Sequence, residues 1–213
     1  MKEKDNNIFE PTRKFNSDIK LYMFQTGSIK TKLKFIKMNH TDEPYEIPVP
    51  WFLIKHPEGD VIIDGGMPIE AAIDKHKHWG SVVEAYDPVM KKSEWCRDQV
   101  KTVNTNPDDI RYVIQTHLHL DHSGAIGHFP NATHITQRLE YDYAFNPDWF
   151  SGPAYIRADF DKPNIRWKFL QGRKTDFYDV YGDGVIKIIF TPGHTPGHQS
   201  VMVKLPKTGH MLF

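Results

Sequence analysis

The chain has 213 residues and balances 27 Lys and Arg against 27 Asp and Glu, so its formal charge is zero. Hydrophobic residues make up 39% and charged residues 25%, which excludes a disordered chain and permits a substantial core. No apolar run reaches the roughly 20 residues of a bilayer span, and neutrality disfavours a partner recognised through its phosphate backbone, so neither a membrane nor a nucleic acid is expected as partner.

Residues 1–18 are polar and read as an N-terminal arm. They lack the apolar stretch of a secretory signal, and the single Cys96 cannot form an internal disulfide; both features fit a cytoplasmic location. Short β-like runs follow at Leu21–Phe24, Leu33–Lys37 and Trp51–Ile54. A turn at His56-Pro57-Glu58-Gly59 leads into a strand at Asp60–Asp64, stopped by Gly65-Gly66. Residues 68–103 read as helix in two pieces, the second with an apolar stripe of Val89, Cys96, Val100 and Val103. Ile110–Thr116 has the pattern of a short buried strand. A strand at Ala132–Thr136, a helix at Gln137–Phe145 and an aromatic-rich loop over 146–168 come next. Strands at Val185–Phe190 and Ser200–Leu205 precede a last one opening at Met211. Without a clean βαβ rhythm, this order predicts an α/β sandwich of mixed sheets rather than a doubly wound parallel sheet.

Twelve histidines are about twice an average share, and one segment concentrates them: Thr116-His117-Leu118-His119-Leu120-Asp121-His122-Ser123-Gly124. On extended backbone, side chains two apart point the same way, so His117 and His119 can grip one ion. Asp121 and His122 can reach a second point nearby. Imidazole with carboxylate suits zinc and similar first-row ions. A second source of ligands is Thr191-Pro192-Gly193-His194-Thr195-Pro196-Gly197-His198, where glycines beside each His allow tight turns near a ligand.

These two motifs, with Ile62-Ile63-Asp64-Gly65-Gly66-Met67-Pro68 upstream, resemble the metallo-β-lactamase superfamily. Ile47-Pro48-Val49-Pro50-Trp51, Thr136-Gln137-Arg138-Leu139-Glu140-Tyr141 and Gly193-His194-Thr195-Pro196-Gly197-His198-Gln199-Ser200 resemble its N-acyl-homoserine lactone lactonase (quorum-quenching) branch. The resemblance implies a four-layer αβ/βα sandwich occupying residues 19–213. It implies that His117, His119 and His194 hold a first metal, that Asp121 and His122 serve a second, and that Asp64 and His198 support these loops without ligating. Gly65 stands where the branch often has Thr. The family's complete site also needs a bridging Asp a little over 20 residues after His194, a Tyr shortly after it and a final His; the chain ends at Phe213, short of them, so the C-terminal part of the sandwich is expected to be missing. The implied cofactor is zinc, two ions per complete domain and one in this chain.

The resemblance also implies a chemistry: hydroxide from a metal-held water opens the lactone ring of N-acyl-homoserine lactones, with Asp121 as general acid–base. The expected partner is a small-molecule lactone, and a homodimer is possible. Candidates for an apolar acyl groove are Met23, Phe24, Trp79, Tyr86, Trp149, Phe150 and Tyr155. His76 and His78 read as solvated positions on a helix; His40, His56, His128, His134 and His210 receive no role. Alternatives within the superfamily are a glyoxalase-II-like thioesterase or another lactone or ester hydrolase. An alternative of another class is an inactive metal-binding fragment without the bridging Asp and last His.

Overall fold

The computed structural model describes residues 18–175 and 177–213; most of the polar arm lies outside them. The larger of two sheets has seven strands in the order β4-β1-β2-β3-β5-β6-β7. These are β1 (Lys20–Lys32), β2 (Pro44–Lys55), β3 (Asp60–Ile63), β4 (Asp87–Val89), β5 (Ile110–Ile114), β6 (Thr133–Gln137) and β7 (Arg166–Leu170). The smaller sheet, in the order β11-β10-β9-β8, comprises β8 (Phe177–Asp179), β9 (Ile186–Phe190), β10 (Gln199–Leu205) and β11 (Gly209–Leu212). β1, β2 and β3 pair antiparallel, whereas β3, β5, β6 and β7 run parallel.

A strand covered on both faces is buried throughout and mostly apolar, and β3 follows Asp60 with the buried run Val61, Ile62 and Ile63. Its alternate side chains serve two cores. Val61 and Ile63 join Ile186, Ile188, Val201 and Val203 between the sheets. Ile62 faces the other way, with Trp51, Val113, Cys96 and Val100. The last two come from α3 (Cys96–Gln99) and the turn after it, so helix covers the far face of the larger sheet. The result is an α/β sandwich of mixed sheets, the expected class.

Several local expectations are corrected. Leu33–Lys37 is not a strand: Leu33–Ile36 forms a single helical turn, α1, whose residues are all at least partly exposed, so no sheet face selects an extended form. The run at Leu21–Phe24 is part of the much longer β1, which pairs with β2 across a register shift between Gln25 and Ser28. In 68–103 one true helix forms, α2 (Ile69–Trp79); the rest breaks into 3-10 turns, β4 and the one-turn α3. Val89 therefore leaves the helical stripe and sits exposed on β4, while Cys96 and Val100 are buried. The helix expected at Gln137–Phe145 forms as α4 (Arg138–Phe145). The loop over 146–168 contains a short helix, α5 (Arg157–Phe160), and the start of β7. β7 and β8 were not read because their residues are only half-buried, and β11 opens at Gly209 rather than Met211.

Trp51 anchors the outer core: it is fully buried, stacks on Phe24 at 4.7 Å and donates its indole N–H to Gln99 at 2.7 Å. Trp51→Ala should cost about 3–5 kcal/mol, through lost burial and a cavity. Denaturant unfolding checks this; a loss below about 1 kcal/mol would contradict the packing.

Candidate metal centre

The histidine motif begins where β5 stops. Asp64 follows β3, Thr116 to His122 follow β5, Glu140 lies on the helix after β6, and His194 follows β9. The carboxyl ends of β3 and β5 in one sheet and of β9 in the other, with the helix after β6, thus bring these groups to one edge of the sandwich, the usual place for ligands in open α/β sheets. Each of His117, His119 and His194 offers a nitrogen within 4.8 Å of the others, and among the described residues they are the group that could hold a metal ion. Their rings meet edge-on, His117 to His119 at 4.5 Å and His117 to His194 at 4.8 Å.

Asp64 organises this edge. Its Oδ1 accepts the Thr116 amide at 2.7 Å, both its oxygens lie 3.0 Å from the Thr116 hydroxyl, and Oδ2 is 2.8 Å from His122 Nδ1. Because the Thr116 proton goes to Asp64, its oxygen accepts from His117 Nδ1 at 2.9 Å. That network assigns the tautomer and leaves the His117 Nε2 lone pair unused. The Nε2 atoms of His117 and His119 are indeed buried without hydrogen-bond partners. The nitrogens that approach one another are His119 Nδ1 and His194 Nε2, 3.2 Å apart, and a buried, unpartnered His117 nitrogen beside them costs stability unless something electrophilic meets it, so the donor set fits a cation.

The titration pattern agrees. Burial, then the neighbouring imidazoles, pushes His117 well below the usual imidazole range. Burial drives His119 down to about 3 against the pull of Asp121. Both are thus neutral imidazoles, the form that can bind a metal. His122 goes the other way: burial opposes its charge, but Asp121 and Asp64 outweigh it and lift it to about 9. Its Nε2 is 3.6 Å from Asp121 Oδ2, so a cation bound at Asp121 would displace that proton. His198 is held by the Thr191 hydroxyl at 3.1 Å, with its ring 5.3 Å from His117.

Glu140, to which no motif assigns a role, is central to the site. Fully buried, its carboxylate accepts the Leu118 amide at 3.0 Å, the Tyr155 hydroxyl at 3.1 Å and the Thr195 hydroxyl at 2.5 Å. It therefore ties both histidine loops together. Gly197 permits this, because a Cβ there would lie 2.1 Å from the Glu140 amide nitrogen. Buried Gln199 adds its amide N–H to the Thr116 carbonyl at 3.0 Å and its side chain to the Gln115 carbonyl at 2.8 Å, joining the two sheets at the site. A Glu on an amphipathic-looking helix and a Gln opening a strand carry no local signal of such roles.

Beside the ligands lies a pocket of about 260 Å³, lined by Ile29, Phe35, Ile36, Ile47, Tyr86 and Ala154 with His119, Asp121, His122 and His194. Of the groove candidates, Tyr86 lines it and Tyr155 meets the His119 ring at 4.7 Å. The others lie elsewhere. Phe24 packs in the core on Trp51, and Trp79 is buried with Val83 and Met67. Met23, Trp149 and Phe150 are 73%, 90% and 67% exposed. Ile29, Phe35, Ile36 and Ile47 were missed because a strand bend and a helical turn, not a motif, carry them to the mouth.

Residues 44–212 match the metallo-beta-lactamase superfamily. The chain belongs to that superfamily. It is 58% identical over 197 residues to the N-acyl homoserine lactonase AttM of Azorhizobium caulinodans, covering 92% of this chain and 75% of that protein. With AttM of Agrobacterium fabrum the identity is 57% over the same shares. A solved N-acyl homoserine lactone hydrolase, with N-hexanoyl-L-homoserine at its catalytic metal centre, superposes with a TM-score of 0.77 at 29% identity, covering 90% of this chain and 73% of that one. These likenesses place the chain in the lactonase branch of the superfamily. Among the described residues no helix is long and apolar enough to cross a membrane.

Replacing the Asp64 carboxylate removes the acceptor that orients His117 and His122 together. Asp64→Asn should weaken zinc binding about 10- to 100-fold, the usual effect of losing such a supporting group, in competition against a chromophoric chelator. Unchanged affinity would contradict the role given to Asp64.

Proposed function

We propose that this protein opens the lactone ring of N-acyl-homoserine lactones, using zinc at His117, His119 and His194. The observation that carries the reading is the cluster of His117, His119 and His194, each with a nitrogen within 4.8 Å of the others, beside an apolar pocket, together with relatives named for that activity. Zinc bound there would acidify a coordinated water and polarise a carbonyl.

The chain's own residues supply the rest. Asp121 lines the pocket next to His122 and is placed to take a proton from the attacking water and return it to the leaving ring oxygen. Asp121 and His122 are further proposed as ligands of a second zinc. Ile29, Phe35, Ile36 and Ile47 provide an apolar wall for the acyl chain. Tyr86 also lines the pocket, and its hydroxyl donates to the Phe35 carbonyl at 3.4 Å, tying the two parts of the wall together. Cytoplasmic location is part of the proposal, supported by the buried free thiol of Cys96. A homodimer is proposed on the exposed apolar run Phe35, Ile36 and Met38 near the mouth.

The zinc-loaded protein should hydrolyse N-hexanoyl homoserine lactone faster, per unit kcat/KM, than S-lactoylglutathione. Faster thioester turnover would overturn the lactonase assignment in favour of a glyoxalase-II-like activity.

A further inference from the structure

Behind the pocket, three side chains form a connected group that metal binding does not explain. Asp159, on α5, is fully buried. Its Oδ1 lies 2.6 Å from His78 Nε2, near the end of α2, and its Oδ2 accepts the Ser123 hydroxyl at 3.1 Å. His78 was expected in solvent, yet its side chain is 13% exposed. Ser123 follows His122 directly, and its amide donates to the His119 carbonyl at 3.2 Å. The connection therefore ends on the turn that carries His119, Asp121 and His122.

The segment leading into α5 is also the pocket wall. Ala154 lines the pocket, its carbonyl accepts the Leu120 amide at 2.9 Å, and Tyr155 packs on His119. Residues 154–160 are thus fastened to the ligand turn twice, by a backbone bond at Leu120 and by Asp159 at Ser123. A buried carboxyl group needs a partner at each oxygen; Ser123 meets one and the His78 ring meets the other.

We infer that His78 and Asp159 are positioning residues, a charged pair that clamps the 154–160 wall against the ligand turn through Ser123 and so sets how the acyl substrate seats. The substrate part rests on the lactonase reading; the clamp itself is a property of the fold. Charge at His78 is supported by its surroundings. The hydrogen bond to Asp159 raises its pKa, burial lowers it, and Glu70 from its own helix outweighs Lys162. His128, which also faces this group, is itself pushed down to about 4, by burial first and Lys162 next, and adds no positive charge at neutral pH. Because the folded pKa of His78 is raised, the clamp is complete below the ordinary imidazole pKa and is lost as pH rises through the raised value.

The test compares the zinc-loaded protein with His78→Gln, which keeps a donor but no charge, and with Asp159→Asn. Hydrogen exchange of the Leu120 amide, zinc content, and KM and kcat for N-hexanoyl homoserine lactone are measured at about pH 6 and about pH 9, either side of the raised imidazole. At the lower pH both variants should lose about tenfold in Leu120 protection and raise KM about three- to tenfold, with kcat within about twofold and zinc content unchanged. At the higher pH the wild type should approach His78→Gln. Equal Leu120 protection in all three proteins at the lower pH, or loss of zinc from either variant, would overturn the clamp. If the wild type opens no lactone, the lactonase reading fails, while the exchange data still decide the clamp.

Discussion

A single buried carboxylate sets the geometry on which the metal centre depends. Asp64 leaves β3 with a φ of 63°, an unusual conformation for a residue other than glycine, and its amide still donates to Ile114 on the parallel β5 at 2.8 Å. That twist points its side chain across the strand ends, where Thr116 and His122 meet it. Gly65 continues the turn at φ 146°, and a Cβ there would lie 2.4 Å from the Ala125 amide nitrogen. The absence of a side chain at residue 65 therefore has a steric reason here.

From Asp64 the order spreads by hydrogen bonds rather than by apolar contact. Thr116 passes it to His117, Glu140 links Leu118 to Thr195, and Gln199 joins the smaller sheet to the end of β5. Each of these groups is buried and satisfied, so each fixes its partner's orientation. The unsatisfied atoms that remain include the Nε2 atoms of His117 and His119. The apolar cores serve a different end: they hold the strands whose carboxyl ends carry this network.

What the sequence made legible was chemistry with a local pattern. Histidines two apart after an apolar strand, and a Gly-flanked His after another, point to the superfamily and to the three histidines that cluster. β3 was readable from its Val61-Ile62-Ile63 run, and β5 from the apolar residues that flank Arg111. The pocket was not, because its walls come from residues distant in sequence. Ile29 and Ile47 face each other across β1 and β2, and Phe35 stands on a one-turn helix that no periodicity announces. Bulk misled: Trp149 and Phe150 are aromatic and near the motif in sequence, yet they point to solvent. His78 was misread for the converse reason, since its partner Asp159 lies 81 residues away.

The central claim is that three histidine nitrogens converge on one cation. Crystals grown with zinc and measured on both sides of its absorption edge address it most directly. The expected result is an anomalous peak about 2.0–2.1 Å from a ring nitrogen of each of His117, His119 and His194, the normal zinc–imidazole distance. A map with no peak at those nitrogens, or with zinc bound only at other histidines, would contradict it.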